Sequence, residues 1–509
     1  MRSAWIAIVL VSVACASAPI RKADQATVLT ADARVLEGCY SCLVEARDIY
    51  RRLAVHRARP LLITRLFEAH VLVGLREREL AMDPTESYLA AEALIPELPV
   101  TYEAARYLEV ARAIPPDYIG ATRAEQSVLY RRNPPPALFN EFKTSLETGE
   151  GSAPFRAYLS ASLECLREFA NRRTEGRAEI PDDAPPLVRY RMGSCPTVRQ
   201  LELDTVAETV PAFVEARYFR ARVPVLLRTS QYTRELREAL NAAFERFPRS
   251  PSVTYGLGAL NQTIGDCKAA IRHYEDTIVL SPLHEEAAMQ RVICLGHIGE
   301  FVPAIEGATR IIERRYHNMG DAYYWRAWSQ YKRRDLSAAR VDIDAARKEG
   351  VSLKVLTLGG MIKYDQKELD LAEADLREAI SRDVLNETCI ARWYYGLVGF
   401  AREDWPETAD RFAAAGTCYR NAADRSRRDL AAMRIADVDE TFRATQIAGF
   451  EAVIKEDTDQ EEASYLNAAN CHARAGDIAR AKEFLDRIPA GSVHALVAAE
   501  LRKQIGGGA

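Results

Sequence analysis

The chain has 509 residues, is 48% hydrophobic and 28% charged, and carries a formal net charge of −4. One compact core stops growing near ~250–300 residues, so this length implies several domains or an array whose units touch only their neighbours. A pI near 6.2 argues against a nucleic-acid-binding domain, whose first sign is basic charge. The 57 Arg against 11 Lys read as the imprint of a GC-rich genome rather than as a phosphate-binding surface.

Residues 1–14 read as a signal peptide, with Arg2 as the positive start and Ala4 to Ala14 (AWIAIVLVSVA) as the apolar stretch. Eleven residues are too few to cross a bilayer as a helix, which takes about 20. Two cleavage sites compete. Ala16-Ser17-Ala18 fits an ordinary signal peptidase, but Pro19 then follows the cut. Ser12-Val13-Ala14-Cys15 resembles a bacterial lipobox, with Ser12 departing from the usual Leu. That resemblance implies lipidation at Cys15, a flexible tether over 15–27, and an anchor in the outer membrane facing the periplasm. Plain secretion is the alternative.

Export would let disulfides persist among the other nine cysteines. Cys39-x-x-Cys42 has no second pair to make a zinc site, and it lies within an apparent helix (LEGCYSCLVEARDIYRRL), unlike a redox motif at a strand-to-helix junction. Residues 28–171 read as an irregular helical-hairpin region. Val35, Cys39, Cys42, Leu43, Ala46, Ile49, Tyr50 and Leu53 follow the spacing of one buried helical face. Asp83-Pro84-Thr85 stops one helix and starts another, while Pro115-Pro116 and Pro134-Pro135-Pro136 break later ones. The polar, Pro-rich segment 172–197 reads as a linker, and 198–250 as a helical lead-in.

From Pro251 a unit recurs every 33 to 36 residues, most clearly as Tyr255, Leu257, Gly258, Gly265-Asp266, Ala270, Tyr274 and Pro282. Units start near Pro251, Glu285, Gly320, Leu353 and Cys389, giving repeats over 251–422. An atypical helical insert follows over 423–461, and a last repeat with its tail over 462–509. The Ala-type positions read Ala270, Ala304, Ala339, Ala372, Thr408 and Ala481. Four residues later stand Tyr274, Ala308, Ile343, Leu376, Phe412 and Leu485. The small first-helix residues are Gly258, Ala327, Gly360, Gly396 and Ala469, with Val292 the exception.

This pattern resembles the tetratricopeptide family and covers about half the chain. The resemblance implies an all-α fold: a right-handed solenoid of helical hairpins, with a more irregular N-terminal half. It also implies a concave groove lined by positions 2, 5, 9, 12 and 13 of each unit. Here those positions hold Tyr255, Tyr324, Trp328, Tyr331, Tyr364, Trp393 and Phe400. Such aromatics suit recognition of a protein or peptide; the competing reading is that they fill wedges between helices. Unit spacing also makes Cys389 with Cys418, and Cys267 with Cys294, disulfide candidates, the alternative being buried thiols. The partners of Cys39, Cys42, Cys165, Cys195 and Cys471 stay open.

No catalytic motif of metalloprotease, serine-hydrolase, P-loop or dinucleotide type occurs, and the eight His lack ligand spacing. Asp335, Asp404 and Asp477 fall where a second helix starts and serve as caps. The expectation is therefore a non-enzymatic, lipid-anchored periplasmic scaffold. It would have no cofactor, metal or nucleic acid, and would bind a protein or peptide in envelope assembly, secretion or export. The alternatives are a hydrolytic site in the N-terminal half, where Glu92, Glu97, Glu103 and Glu109 are available, or a solute-binding accessory of a transporter.

Overall fold

A computed structural model describes residues 22–56, 59–114, 142–144, 146–147, 149–171, 180–194, 200–219, 234–316, 319–385 and 388–506. Cys15, the signal segment, Cys195 and the Pro115 and Pro134 breaks lie outside the described residues. Among the described residues the regular elements are helices and no strand occurs. The chain divides into two compact units, residues 1–260 with 273–284, and residues 261–272 with 285–509.

The first unit holds α1 (Lys22–Glu37), α2 (Tyr40–His56), α3 (Pro60–Glu79), α4 (Thr85–Leu94), α5 (Ala104–Ala113), α6 (Ala153–Asn171), α7 (Pro186–Gly193), α8 (Gln200–Thr209) and α9 (Arg234–Arg246). Its core is α3, where Leu62, Leu66, Phe67, Leu72 and Val73 are buried between neighbouring helices. A fully buried cation sits among them. Arg76 donates to Glu79 and, at 2.8 Å, to Glu215, with its guanidinium 4.0 Å from the centre of the Tyr190 ring. A charge this deep is tolerable only when paired and hydrogen-bonded on every side.

Three expectations change here. The cysteine pair does not lie inside one continuous helix: the chain breaks between α1 and α2 at Gly38, whose φ of +74° suits glycine, so Cys39 precedes α2 and Cys42 lies in its first turn. A Cβ there would stand 2.4 Å from that of Leu187, so the corner closes against α7. Cys39 and Cys42 form a disulfide at the start of α2, with Cα atoms 4.9 Å apart and the Cys39 sulfur accepting from the Cys42 amide. Residues 22–27 are not the end of a flexible tether, since α1 already begins at Lys22. The described part of 172–197 is not a linker: α7 buries Leu187, Tyr190 and Met192. Eight residues between prolines are too short to show a helical period, which is why the segment reads as loop.

The array begins with α10 (Pro251–Thr263) and α11 (Cys267–Leu280), and continues with α12 (Glu285–His297), α13 (Phe301–Glu313), α14 (Met319–Lys332), α15 (Leu336–Glu349), α16 (Leu353–Asp365), α17 (Leu369–Arg382) and α18 (Cys389–Ala401). It ends in α19 (Trp405–Ile435), α20 (Glu440–Arg474), α21 (Ile478–Asp486) and α22 (Ala495–Gly506). The period is written in the backbone. Every turn inside a hairpin has one left-handed residue, namely Gly265, Gly299, Arg334, Lys367, Glu403 and Gly476. An acidic residue follows each, and Asp266, Asp335 and Asp477 accept the amides of Ala269, Ala338 and Arg480. Asp404 makes no such side-chain cap.

Sixteen residues separate the partners that lock each hairpin. A Cβ on Gly258 would stand 2.5 Å from the Tyr274 ring; Gly360 meets Leu376 at 2.5 Å and Gly396 meets Phe412 at 2.7 Å. Any side chain there would force the helices apart. The second hairpin reverses the pair. Val292 supplies the bulk and Ala308 the space, and Gly307 makes further room, since a Cβ there would stand 2.7 Å from Val292. The apparent weakness of that unit is thus a swap of large and small. The atypical helical insert expected over 423–461 is formed by α19 and α20, which extend the hairpin helices into one long antiparallel pair.

Candidate functional site

The face formed by α14, α16 and α18 gathers most of the predicted aromatics. Tyr324, Trp328, Tyr364, Trp393 and Phe400 are half-buried. Burial, and then the nearby Asp321 carboxylate, push the Tyr324 hydroxyl up to about 12. Trp328 packs against Tyr331 with ring centres 6.3 Å apart. The Tyr331 and Tyr394 hydroxyls are 3.1 Å apart, and the Tyr394 ring meets Tyr364 edge-on at 5.6 Å. Tyr394 joins these rings into one row, yet it occupies the sixth position of its unit and falls outside the groove positions counted in sequence. Trp325, at the same position two units earlier, was the available signal.

Lysines fringe the row. The Lys332, Lys354 and Lys367 ammonium groups lie 4.5, 4.8 and 5.5 Å from the centres of the Trp328, Tyr324 and Tyr364 rings. Lys354 also pairs with Asp321 at 2.6 Å, both partly exposed. These are three of only 11 lysines in the chain, set within 36 residues. Each ring is held by a cation on one side and by apolar packing on the other.

Two predicted groove residues belong to the core instead. Tyr255 is 6% exposed and stacked on His284 at 4.9 Å, because Tyr218 and Leu240 cover its end of α10. Tyr331 is 8% exposed, its ring in the cluster with Ala327, Ile343 and Leu358, so it contributes its hydroxyl and not its face. Trp393 is part wedge: it packs edge-on to Phe412 at 5.3 Å and against the Cys389–Cys418 cluster. Phe400 forms a second patch with Trp405 at 5.3 Å, and Arg474 lies over both rings.

Cys389 and Cys418 form a disulfide across the ends of α18 and the first half of α19, with Cα atoms 5.4 Å apart. Cys267 and Cys294 do not. Their side chains are hydrogen-bonded as thiols, and that bond from Cys294 lowers the pKa of Cys267. Adjacency was read correctly for that pair, but adjacency alone does not make the bond.

The carboxylates offered for hydrolysis do not converge. Glu92, Glu97, Glu103 and Glu109 are all exposed, and Glu92 is tied to Arg112 at 2.7 Å. A cavity in the first unit holds Asp32, Tyr50, Arg65, Glu68 and Ser152, but its volume of 120 Å³ is well below the ~300 Å³ of a typical ligand site. Glu68 already accepts from Tyr102, Arg65, and both the amide and hydroxyl of Ser152, which leaves no free base. Among the described residues no cluster of metal-ligating side chains occurs, and no helix is long and apolar enough to cross a membrane.

The repeated left-handed turn, the acidic residue after it and the sixteen-residue lock give the array a fold of repeated helical hairpins of the tetratricopeptide type. Solved structures similar to it include YrrB, described as a tetratricopeptide protein with an unusual peptide-binding site. That similarity has 13% identity over 52% of this chain and 92% of that one, with a TM-score of 0.24. Yeast Tom70 matches at 13% identity over 86% and 96%, with a TM-score of 0.32. A human IFIT1 dimer with m7Gppp-AAAA matches at 12% identity over 85% and 90%, with a TM-score of 0.36. These overlaps are partial, and the fold assignment rests on the hairpins themselves. No protein-family profile and no curated protein matches the chain.

Proposed function

We propose that this protein is a non-enzymatic scaffold that binds an extended segment of a partner protein along the first-helix face of its third to fifth units. The observation that carries the reading is the row Tyr324, Trp328, Tyr364 and Tyr394, half-open and bordered by Lys332, Lys354 and Lys367. Amphipathic rings give contact area at little entropic cost, and the Lys332 and Lys367 cations, with Lys354 paired to Asp321, favour a segment carrying acidic side chains. We further propose that the scaffold works in the cell envelope, anchored through an acylated Cys15. The apolar stretch ending at that cysteine supports this, as do the Cys39–Cys42 and Cys389–Cys418 disulfides, which persist in oxidising compartments.

The test of binding is Trp328→Ala in the full chain. Capture of the native partner should fall by about 30-fold, as loss of a 2 kcal/mol anchor requires, with the protein still folded. Capture that falls only in proportion to lost folded protein returns Trp328 to the core and removes the site. Labelled palmitate tests the anchor: Cys15→Ala should abolish incorporation, and equal labelling of the variant would refute acylation there.

A further inference from the structure

The motif Cys39-Tyr40-Ser41-Cys42 has no part in the aromatic face, and its surroundings give its two sulfurs different chemistry. Cys39 caps α2. Its carbonyl accepts from the Leu43 amide at 2.9 Å, and its sulfur, in the place of a capping oxygen, accepts from the Cys42 amide at 3.1 Å. The Ser41 hydroxyl donates to the same sulfur at 3.2 Å. Two donors and the N-terminal end of a 17-residue helix therefore meet at Cys39, and both favour a thiolate there. The Cys42 sulfur faces the opposite charge. The Glu37 carboxylate lies 3.3 Å from it, where it favours a protonated thiol.

The dipeptide between the cysteines is fixed independently of the bond. The Tyr40 amide donates to Glu215 at 2.7 Å, its hydroxyl to Glu77 at 3.2 Å, and its ring meets Phe247 edge-on at 5.6 Å. Once reduced, the two thiols are thus still held side by side. Against the dipeptide lies an open hollow of 460 Å³, walled by Tyr40, Ser41, Glu45, Asp48, Arg52 and Arg246. Its size falls within the ~300–1,000 Å³ of ligand sites, and it offers charges of both signs to a peptide. Of the two cysteines only Cys42 has any exposure, 4% against 0% for Cys39. All of these groups belong to the first unit.

We propose that Cys39–Cys42 is a redox-active pair which exchanges with a dithiol or disulfide of a partner protein, Cys42 being the sulfur attacked and Cys39 the one that leaves. A thiolate of the partner dithiol attacks the Cys42 sulfur, and Arg34, 2.7 Å from the Glu37 carboxylate, offsets the charge it meets. The bond between the cysteines breaks, and its electron pair leaves on Cys39, where the Cys42 amide and Ser41 hydroxyl receive it. A leaving thiolate stabilised in this way leaves faster. The second thiol of the partner gives up its proton and attacks the partner's own sulfur in the mixed disulfide. Cys42 then departs with that bond's electron pair and takes one proton, and the other goes to water. Two electrons have passed: the partner is a disulfide, Cys39 a thiolate and Cys42 a thiol. The reverse sequence oxidises a client dithiol. None of this depends on what the aromatic face binds.

The experiment is a redox titration of the full chain in mixtures of reduced and oxidised dithiothreitol, with thiols alkylated and each pair read by peptide mass. Cys389–Cys418, in the other unit, is the internal reference. Cys39–Cys42 should be half-reduced at a ratio of reduced to oxidised reagent at least about 10-fold lower, with helix content by circular dichroism unchanged. Ser41→Ala should raise that ratio by about 10-fold, as loss of a hydrogen bond to a charged group requires, and leave the reference where it was. Reduction of both pairs at one ratio, reduction of Cys39–Cys42 only as helix content falls, or an unmoved midpoint in Ser41→Ala overturns the proposal. Reduced glutathione, quenched early with acid, tests the direction of attack. The adduct should form on Cys42; an adduct on Cys39, or equal amounts on both, refutes the assigned roles.

Discussion

The first unit and the repeat array are both helical, yet they are stabilised in different ways. In the first unit a few irreplaceable nodes dominate: one buried guanidinium held by Glu79 and Glu215 beneath Tyr190, and Glu68 accepting from Arg65, Tyr102 and Ser152. In the array the same modest contact is made again in each hairpin, so that one unit can invert it, as Val292 and Ala308 do, without losing the fold. Iterated contacts tolerate variation because each unit answers only to its neighbours. Single nodes do not, because their partners come from distant parts of the chain.

The comparison can be broken most sharply at Arg76. Glu215→Ala leaves a buried cation short of a partner and should destabilise the first unit by about 3–5 kcal/mol, read by denaturant unfolding. Removing Glu451 from the exposed pair with Arg434 in the array should cost under about 1 kcal/mol. Equal losses would erase the distinction between the units.

Next come the disulfides. Cys389–Cys418 closes a loop 29 residues long, and replacing both by Ser should cost about 3–4 kcal/mol in the array. Cys39–Cys42 spans only three residues, and the same entropy model gives about 2 kcal/mol. A larger loss at Cys39 and Cys42 would mean that the α1–α2 corner depends on the bond for its geometry.

pH separates the units in a third way. His70 is 5% exposed on α3, and burial first, then the charges of Arg47 and Arg51, lower its pKa to about 4. The unfolded chain takes up that proton first, near pH 6.5. The contribution is therefore complete above about pH 6.5 and lost as pH falls to about 4, at a cost of about 3 kcal/mol. His70→Gln should flatten that part of the stability profile of the first unit. An unchanged profile would show that other groups carry it.

The smallest effect belongs to the turns. Arg334, Lys367 and Glu403 hold left-handed backbone that glycine adopts freely at Gly265, Gly299 and Gly476. Arg334→Gly or Glu403→Gly should stabilise the array by up to about 1 kcal/mol, seen as a small rise in melting temperature. A loss instead would mean that these side chains contribute more than their backbone costs.

The array was legible in the sequence because its determinants are local. Gly258 and Tyr274 are sixteen residues apart, and the pattern repeats until chance is excluded. The first unit was not, since its organising contacts join Arg76 to Glu215 and Gly38 to Leu187 across more than a hundred residues of chain. The same reason explains α7, whose burial of Tyr190 depends on partners distant in sequence. The face was half legible. Positions 5, 9 and 12 found Tyr324, Trp328 and Tyr364, but Tyr255 needed knowledge of what covers α10. Tyr394 joined the row only through the packing of three helices.

The central claim is that the row on α14 and α16 is where a partner sits. Its most direct measurement is site-specific photo-crosslinking in intact cells, with a benzophenone amino acid placed at 328, at 364, or at Arg310, an exposed residue of the second helix α13. The account predicts one shared crosslinked partner from 328 and 364 and none from 310. Crosslinks that are equally strong from 310, or absent from both 328 and 364 while the protein remains folded, would contradict it.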